Sequence, residues 1–514
     1  MLKKPMIYKI DETYALVQDT PERLQRMFDF LKVEREGAYF ETLVQRGIKS
    51  PFNYFAKITD KGLVCYLGHL DMLSQAFSLK IPDDIFNDSV SFSEADIDAY
   101  YKDLEDRKVL PFSPYDYQLK AFKGAVLGKR QICRMCTSAG KSLTISLIAD
   151  FYRTRGLKGL LVVPNINLLT QFKSDIESYN LLDLFKGVRC LGGGIKIEDD
   201  TFNSDLLITT WQSMMSHKDK LVNFDYLIED EVHKESAEVA GDICRSCNHI
   251  SRKLGFTGTL PEDNVHKMEL LGLFGKVKTY ITARELIDRG LGTPININAI
   301  FFEYDKNTKN LIRNEKAYPK ILQHIKEYEP RNDFIVKLLA KLRQKRENSL
   351  CLYQHTEHGK ELFRKVMKAL YPDVEVENKD ITGKKSFEFQ QKYHVYFMNG
   401  EDDAKTREHT RKALENDFDA ILIANFALMS TGVSIKRLHN LVLGSPLKAY
   451  TTVTQSLGRG MRLHKDKKEF NVYDLVDDIG YRYHTGVFCK SYNHRMATSY
   501  IREEYPVKEF DVKI

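Results

Sequence analysis

From about residue 113 the chain alternates short apolar runs with amphipathic helical stretches, in two successive series. Residues 130–133, 159–164, 205–210, 224–228 and 254–260 form the first series of runs, with helical patterns such as 143–150 and 167–172 between them. Runs this short and this apolar predict strands of a parallel sheet buried on both faces, joined by covering helices. Residues 349–353, 395–398, 420–424 and 441–443 repeat the pattern, which predicts a second α/β unit. Before residue 95 the pattern differs. Apolar-polar alternation at 6–10, 54–58 and 62–67 flanks a helical stretch at 21–28, which predicts a small α+β domain. The expected divisions are 1–95 for that domain, 96–112 for an acidic connector, and 113–294 and 295–514 for the two α/β units.

Length agrees with this division, since 514 residues are too many for one core. Hydrophobic residues at 43% and charged residues at 29% exclude a disordered or fibrous class. A net charge of +6 permits a nucleic-acid partner without requiring one. No apolar run reaches the length of a membrane span, and the eight cysteines are scattered, so a cytoplasmic protein with reduced thiols is expected. Cys133/Cys136 and Cys244/Cys247 are spaced as zinc ligands can be. The first pair runs into a phosphate loop, where a metal clamp would compete with nucleotide, so free thiols and no zinc are expected.

That loop is the first chemical signal. Thr137, Ser138, Ala139, Gly140, Lys141 and Ser142 lie between an apolar run and a helix, the arrangement that wraps phosphate in backbone N–H groups. Lys141 would reach the β- and γ-phosphates and the Ser142 hydroxyl would bind Mg²⁺. Met135 replaces the first glycine of the usual pattern. Upstream, Gln118 opens an amphipathic helix and can pair with an adenine edge. The apolar run 224–228 ends in Glu229, Asp230, Glu231, Val232 and His233. Carboxylates at the carboxyl end of a parallel strand stand where ligands bind, with Asp230 for the metal and Glu231 for the attacking water. Gln455, Arg459 and Arg462 close the second series, and guanidiniums three residues apart suit a transferring phosphoryl group. Thr257 and Thr259, with His233, are candidates for coupling the nucleotide site to movement.

Taken in this order the motifs resemble those of superfamily 2 helicases of the DExH kind, over residues 115–477. Gln118 is similar to the Q motif, residues 136–142 to motif I, Val162-Val163-Pro164-Asn165 to motif Ia, Asp230-Glu231-Val232-His233 to motif II, and Thr257-Gly258-Thr259 to motif III. Ser430-Thr431-Gly432-Val433-Ser434 resembles motif V and residues 455–462 motif VI. Within the family, phage recombination helicases are a closer likeness.

The resemblance implies two tandem RecA-like P-loop domains and an ATP- and Mg²⁺-dependent monomeric DNA motor. It implies action on junctions, forks and RNA–DNA hybrids in recombination, repair and replication, with the N-terminal domain touching duplex. It also implies strand contacts at Pro164, Asn165, Gly193, Thr210, Trp211, Gln212, Gln354, His355 and Thr431, and nucleotide contact at Gly432. Ser434 stands where many relatives carry Asp, and residues 371–392 are an extra segment without an assigned role. Two alternatives remain open: a duplex translocase that does not separate strands, and a clamp whose ATP cycle only regulates binding.

Overall fold

The computed structural model describes residues 5–514 apart from 39–40, 48, 87–89, 235–236, 316, 383–385, 427–434, 446–452, 454–456, 459 and 481–485. Two compact units divide the chain, Met1–Ile281 and Thr282–Ile514.

The first unit opens with a small antiparallel sheet of β1 (Met6–Lys9), β2 (Tyr14–Gln18), β5 (Ala56–Thr59) and β6 (Gly62–Tyr66), in the order β1-β2-β6-β5. A two-stranded ribbon of β3 (Lys32–Glu34) and β4 (Phe52–Tyr54) lies beside it in sequence. Buried cations seat this domain on the rest of the unit. Lys253 Nζ, fully buried, donates to Thr13 Oγ1 at 3.0 Å and to the Glu12 and Cys244 carbonyls at 3.2 and 2.9 Å. Arg130, opposite Lys253 in the sheet, donates to the same Glu12 carbonyl. Burial without a carboxylate partner pulls the Lys253 ammonium down to about 8.

Most of the stretch expected as a connector is a helix, Glu94–Asp106, started by a reciprocal Ser93/Asp96 capping box. Its Tyr100 hydroxyl donates to Asp150 at 2.7 Å, so it packs on the helix Lys141–Arg153 that follows the phosphate loop.

Seven parallel strands make the main sheet of the first unit: β7 (Arg130–Met135), β8 (Gly159–Val163), β9 (Val188–Leu191), β10 (Leu206–Thr210), β11 (Tyr226–Asp230), β12 (Arg252–Thr257) and β13 (Val277–Ile281). Their order is β13-β7-β12-β11-β8-β10-β9. β8, β10, β11 and β12 are buried along their whole length, which explains the apolar runs at 159–163, 206–208, 226–228 and 254–256. Because β7, β12 and β11 are neighbours, the segments after them emerge side by side at one sheet edge.

In the second unit β14 (Ile295–Glu303), β15 (Ser349–Tyr353), β16 (Val395–Met398), β17 (Ile421–Asn425), β18 (Asn440–Leu443), β19 (Phe470–Asp478) and β20 (Val507–Lys513) form a parallel sheet in the order β16-β17-β15-β18-β19-β14-β20. The fold class expected from the alternating pattern therefore stands, with two seven-stranded parallel sheets and a small N-terminal domain. The described residues of 371–392 are packed rather than appended. Gln390 donates to the Asp380 and Ile381 carbonyls and accepts from Phe397 N–H on β16, while the Tyr371 and Tyr393 rings meet at 4.7 Å.

Candidate functional site

Sheet order brings the phosphate loop, the acidic strand end and the threonine pair together. The loop leaves β7 and turns twice through left-handed backbone, at Ser138 (φ 69°) and Gly140 (φ 78°). A Cβ at Gly140 would lie 2.2 Å from Gln118 Nε2, so only glycine leaves that amide its place. Gln118 is buried and works as a staple between two backbone segments: Nε2 donates to the Ala139 carbonyl at 2.9 Å, and Oε1 accepts from Tyr115 N–H at 2.9 Å. One amide hydrogen and one lone pair are left over for an adenine edge.

The helix Lys141–Arg153 then begins, and the N–H groups of its first turn have no carbonyl one turn back. Lys141 Nζ lies 3.2 Å from Glu231 Oε1, both side chains being mostly buried. Burial opposes the Lys141 charge, but Glu231 and Asp230 outweigh it and raise its pKa. The two acids diverge. Burial, reinforced by the Glu231 charge, pushes the Asp230 carboxyl up, whereas at Glu231 the adjacent Lys141 overcomes burial and holds the carboxyl down. Glu231 has a left-handed backbone (φ 55°), a strained turn immediately after β11 that aims its side chain at the loop lysine.

Asp230 Oδ1 is buried without a hydrogen-bond partner. A deeply buried carboxylate oxygen with nothing to bind, beside a lysine and close in sequence to a second acid, fits a divalent cation. The Ser142 hydroxyl, the other expected ligand, is 2.8 Å from the Tyr179 hydroxyl.

His233 continues the site toward β12. Its Nδ1 is 2.6 Å from Thr257 Oγ1 and 3.3 Å from Glu231 Oε2. Burial lowers the imidazole to about 4, so it is neutral near pH 7. Thr257 Oγ1 donates to the Thr259 carbonyl and so accepts from His233, which fixes the Nδ1–H tautomer. A Cβ at Gly258 would come within 3.3 Å of Thr137 Oγ1. The segment 257–259 thus abuts the phosphate loop at Gly258 and reaches the acid turn through Thr257 and His233.

The expected strand contacts of the first unit also converge. Asn165, after Pro164, caps the helix Ile166–Ser178 by accepting from Leu168 N–H at 3.0 Å. Thr210 caps the short helix Trp211–Met215, on which Gln212 is exposed and Trp211 half-buried. Between them Gly193 is left-handed (φ 63°), and a Cβ there would meet Ile166 at 2.8 Å. In the second unit Gln354 and His355 are exposed at the end of β15, ahead of the helix Thr356–Leu370. Thr431, Gly432, Gln455 and Arg459 lie outside the described residues. Arg462 is described, and its carbonyl accepts from Thr293 Oγ1 at 3.1 Å.

Three residues not singled out from the sequence tie down the elements that carry these candidates. Tyr179 holds Ser142 from a position 37 residues away in sequence, with no pattern to announce it. Lys253 ties the N-terminal domain to β12, the strand that ends in Thr257; a lysine inside an apolar strand was the available signal. Lys467 is buried and donates to the Gly460 carbonyl at 2.8 Å, anchoring the segment that carries Arg462.

All eight cysteines are free, Cys133, Cys136, Cys244 and Cys247 being buried, and among the described residues no three or more His, Cys, Asp or Glu side chains are grouped as a metal site. No helix among the described residues is long and apolar enough to cross a membrane.

Residues 111–262 match the family model described as type III restriction enzyme, res subunit. The ATP-dependent DNA helicase uvsW of Enterobacteria phage T4 is 29% identical over 416 residues, which cover 79% of this chain and 77% of that protein. The DNA 3'-5' translocase XPB2 of Sulfurisphaera tokodaii is 25% identical over 419 residues, 76% of this chain and 90% of that protein. Among solved structures, the ATP-dependent type ISP restriction-modification enzyme LlaBIII bound to DNA superposes with a TM-score of 0.56 at 15% identity, covering 78% of this chain and 31% of that one, a likeness of fold.

Proposed function

We propose, from the premise that this chain is an ATP-hydrolysing helicase of the superfamily 2 kind, that it is a motor that remodels branched nucleic acid. Its substrates in this proposal are four-way junctions, replication forks and RNA–DNA hybrids. The observation that carries the catalytic half is the mostly buried set of Lys141, Asp230 and Glu231, reached from β7 and β11 on either side of β12. Lys141 and the first-turn N–H groups hold the triphosphate, while Ser142 and Asp230 hold Mg²⁺, which supplies charge neutralisation to the transferring phosphoryl group. Glu231, kept ionised by Lys141, orients the attacking water and takes its proton. Neutral His233 ties the Glu231 carboxylate to Thr257, so a change at the acid is felt at the end of β12. Gln455, Arg459 and Arg462 enter as motif VI residues, with roles taken from the motif alone.

Contacts at Asn165, Gly193, Thr210, Trp211 and Gln212 serve the phosphate backbone, which makes binding independent of sequence and sensitive to salt. The uvsW and XPB2 likenesses support a DNA partner and 3′-to-5′ movement.

A second reading, a duplex translocase without strand separation, is favoured by the match to the restriction-subunit model. ATP hydrolysis measured with single strands, forks, four-way junctions, RNA–DNA hybrids and plain duplex, beside strand displacement, decides between them. Equal stimulation by plain duplex with no displaced strand would remove the remodelling reading. No hydrolysis with any of these would remove both.

A further inference from the structure

The segment after β9 presents apolar side chains to solvent next to the residues assigned above to strand contact. Ile195 and Ile197 flank Lys196, and their exposures of 40% and 45% are high for isoleucine. Ile166, the first residue of the helix capped by Asn165, is 47% exposed.

The segment is held in place at both ends. Gly192, Gly193 and Gly194 are three successive positive-φ residues (138°, 63° and 77°), and Ile195 N–H closes the turn on the Gly192 carbonyl at 3.2 Å. At the far end Arg189 pairs with Asp200 and Glu198, and Glu198 N–H donates to Thr201 Oγ1 at 2.8 Å. The apolar tip is therefore displayed by a pinned loop.

Its neighbours define what it can meet. A Cβ at Gly193 would touch Ile166, and one at Gly192 would lie 2.9 Å from Ser213 Oγ, so the loop abuts the first turns of both helices that follow Asn165 and Thr210. Beside it runs a groove of about 590 Å³ lined by Lys173, Phe185, Arg189, Ile195 and Lys196. Lys173 and Lys196 have no ion-pair partner among the described residues, and Lys173 stands over the Phe185 ring at 5.5 Å. The groove's acids are Glu198, which is paired with Arg189, and Glu177, four residues after Lys173 on the helix Ile166–Ser178. Free cations beside an apolar tip complement a polyanion with flat apolar faces, which is a nucleic-acid strand with unpaired bases.

We propose that the segment 192–199 is a base-contact element: Ile195 and Ile197 pack against unpaired bases of the bound strand, while Lys173 and Lys196 hold the flanking phosphates. This rests on the motor reading above, to which it adds where bases, and not only the backbone, are touched.

The test uses the full chain and a single strand carrying 2-aminopurine, titrated by fluorescence without nucleotide. The wild type should change the probe's emission on binding, and I195A/I197A should lose most of that change, with I195L/I197L restoring it. K173A/K196A should instead reduce the slope of log affinity against log salt by about 1.4, the value for two phosphate contacts on a single strand. On a forked duplex, I195A/I197A should lose strands displaced per ATP hydrolysed by at least fivefold. An unchanged probe signal and unchanged displacement in I195A/I197A would overturn the proposal, as would capture of a protein partner by this face in place of the strand. Because the fluorescence titration needs no ATP hydrolysis, a wild type that binds the strand yet never hydrolyses ATP would sink the motor reading alone.

Discussion

The ammonium of Lys141 stands 3.2 Å from a Glu231 carboxylate oxygen, so the cation of the phosphate loop and the acid of the strand end compensate each other in a buried place. Each is kept charged by the other: Lys141 holds the Glu231 carboxyl low, and Glu231 raises the Lys141 ammonium against burial.

Separate losses follow for the two partners. Lys141→Ala should remove nucleic-acid-stimulated ATP hydrolysis and weaken nucleotide binding. Glu231→Gln should bind a fluorescent ATP analogue with near-normal affinity and lose about 10²–10⁴ in turnover, the usual worth of a general base. Phosphate release beside analogue titration reads both, and appreciable hydrolysis by the purified lysine variant would refute the site.

Tyr179 should matter to the metal and not to the base. Its hydroxyl, 2.8 Å from Ser142 Oγ, can accept the hydrogen bond of the serine O–H and leave a serine lone pair for Mg²⁺. Tyr179→Phe is expected to raise the Mg²⁺ concentration needed for half-maximal analogue binding by about tenfold. An unchanged Mg²⁺ titration would show the contact to be structural only.

His233 gives the stability a calculable acid limb. Its imidazole is lowered from 6.5 to about 4 by burial, so below pH 6.5 the unfolded chain takes up a proton that the folded one refuses. Stability from this group is complete above pH 6.5 and is lost as pH falls toward 4, about 3 kcal/mol in all. His233→Asn should lessen the loss of denaturant-unfolding stability over that interval without abolishing it, since burial also lowers His69 to about 4 and His358 to about 3. A wild-type slope retained unchanged by the variant would mean His233 contributes nothing there.

Gly460 should tolerate no side chain. A Cβ there would fall 2.0 Å from a Phe470 ring carbon at the start of β19. Gly460→Ala should cost about 1–3 kcal/mol through overpacking and lower the thermal midpoint of the second unit's transition. Gly194→Ala is a fitting comparison, since nothing lies within 4 Å there and only its left-handed φ of 77° is strained.

Much of the architecture could be read along the chain because buried parallel strands write themselves as unbroken apolar runs. β8, β10, β11, β15 and β17 were legible for that reason. β14, β19 and β20 were not. β14 and β19 mix polar with apolar positions, since Asn296, Asn298, Asn471 and Tyr473 are only half-buried, and β20 lies at the sheet edge, mostly exposed. The connector's helix was hidden by its acidity, which its capping box and its Tyr100 contact with Asp150 put to use.

At the site, residue types and spacing along the chain were enough to single out Lys141, Ser142, Asp230, Glu231, His233 and Thr257, because phosphate and metal chemistry demand those groups after apolar strands. What the tertiary structure alone decided is which of them share a place, and with what charge. The order β7-β12-β11 sets Thr257 between the loop and the acids. Burial together with one lysine drives two consecutive carboxyls in opposite directions, Asp230 up and Glu231 down. Tyr179 and Lys253 reach their partners across 37 and 240 residues of chain. Such contacts leave no local pattern, since they depend on folded proximity and desolvation, which no stretch of sequence carries by itself.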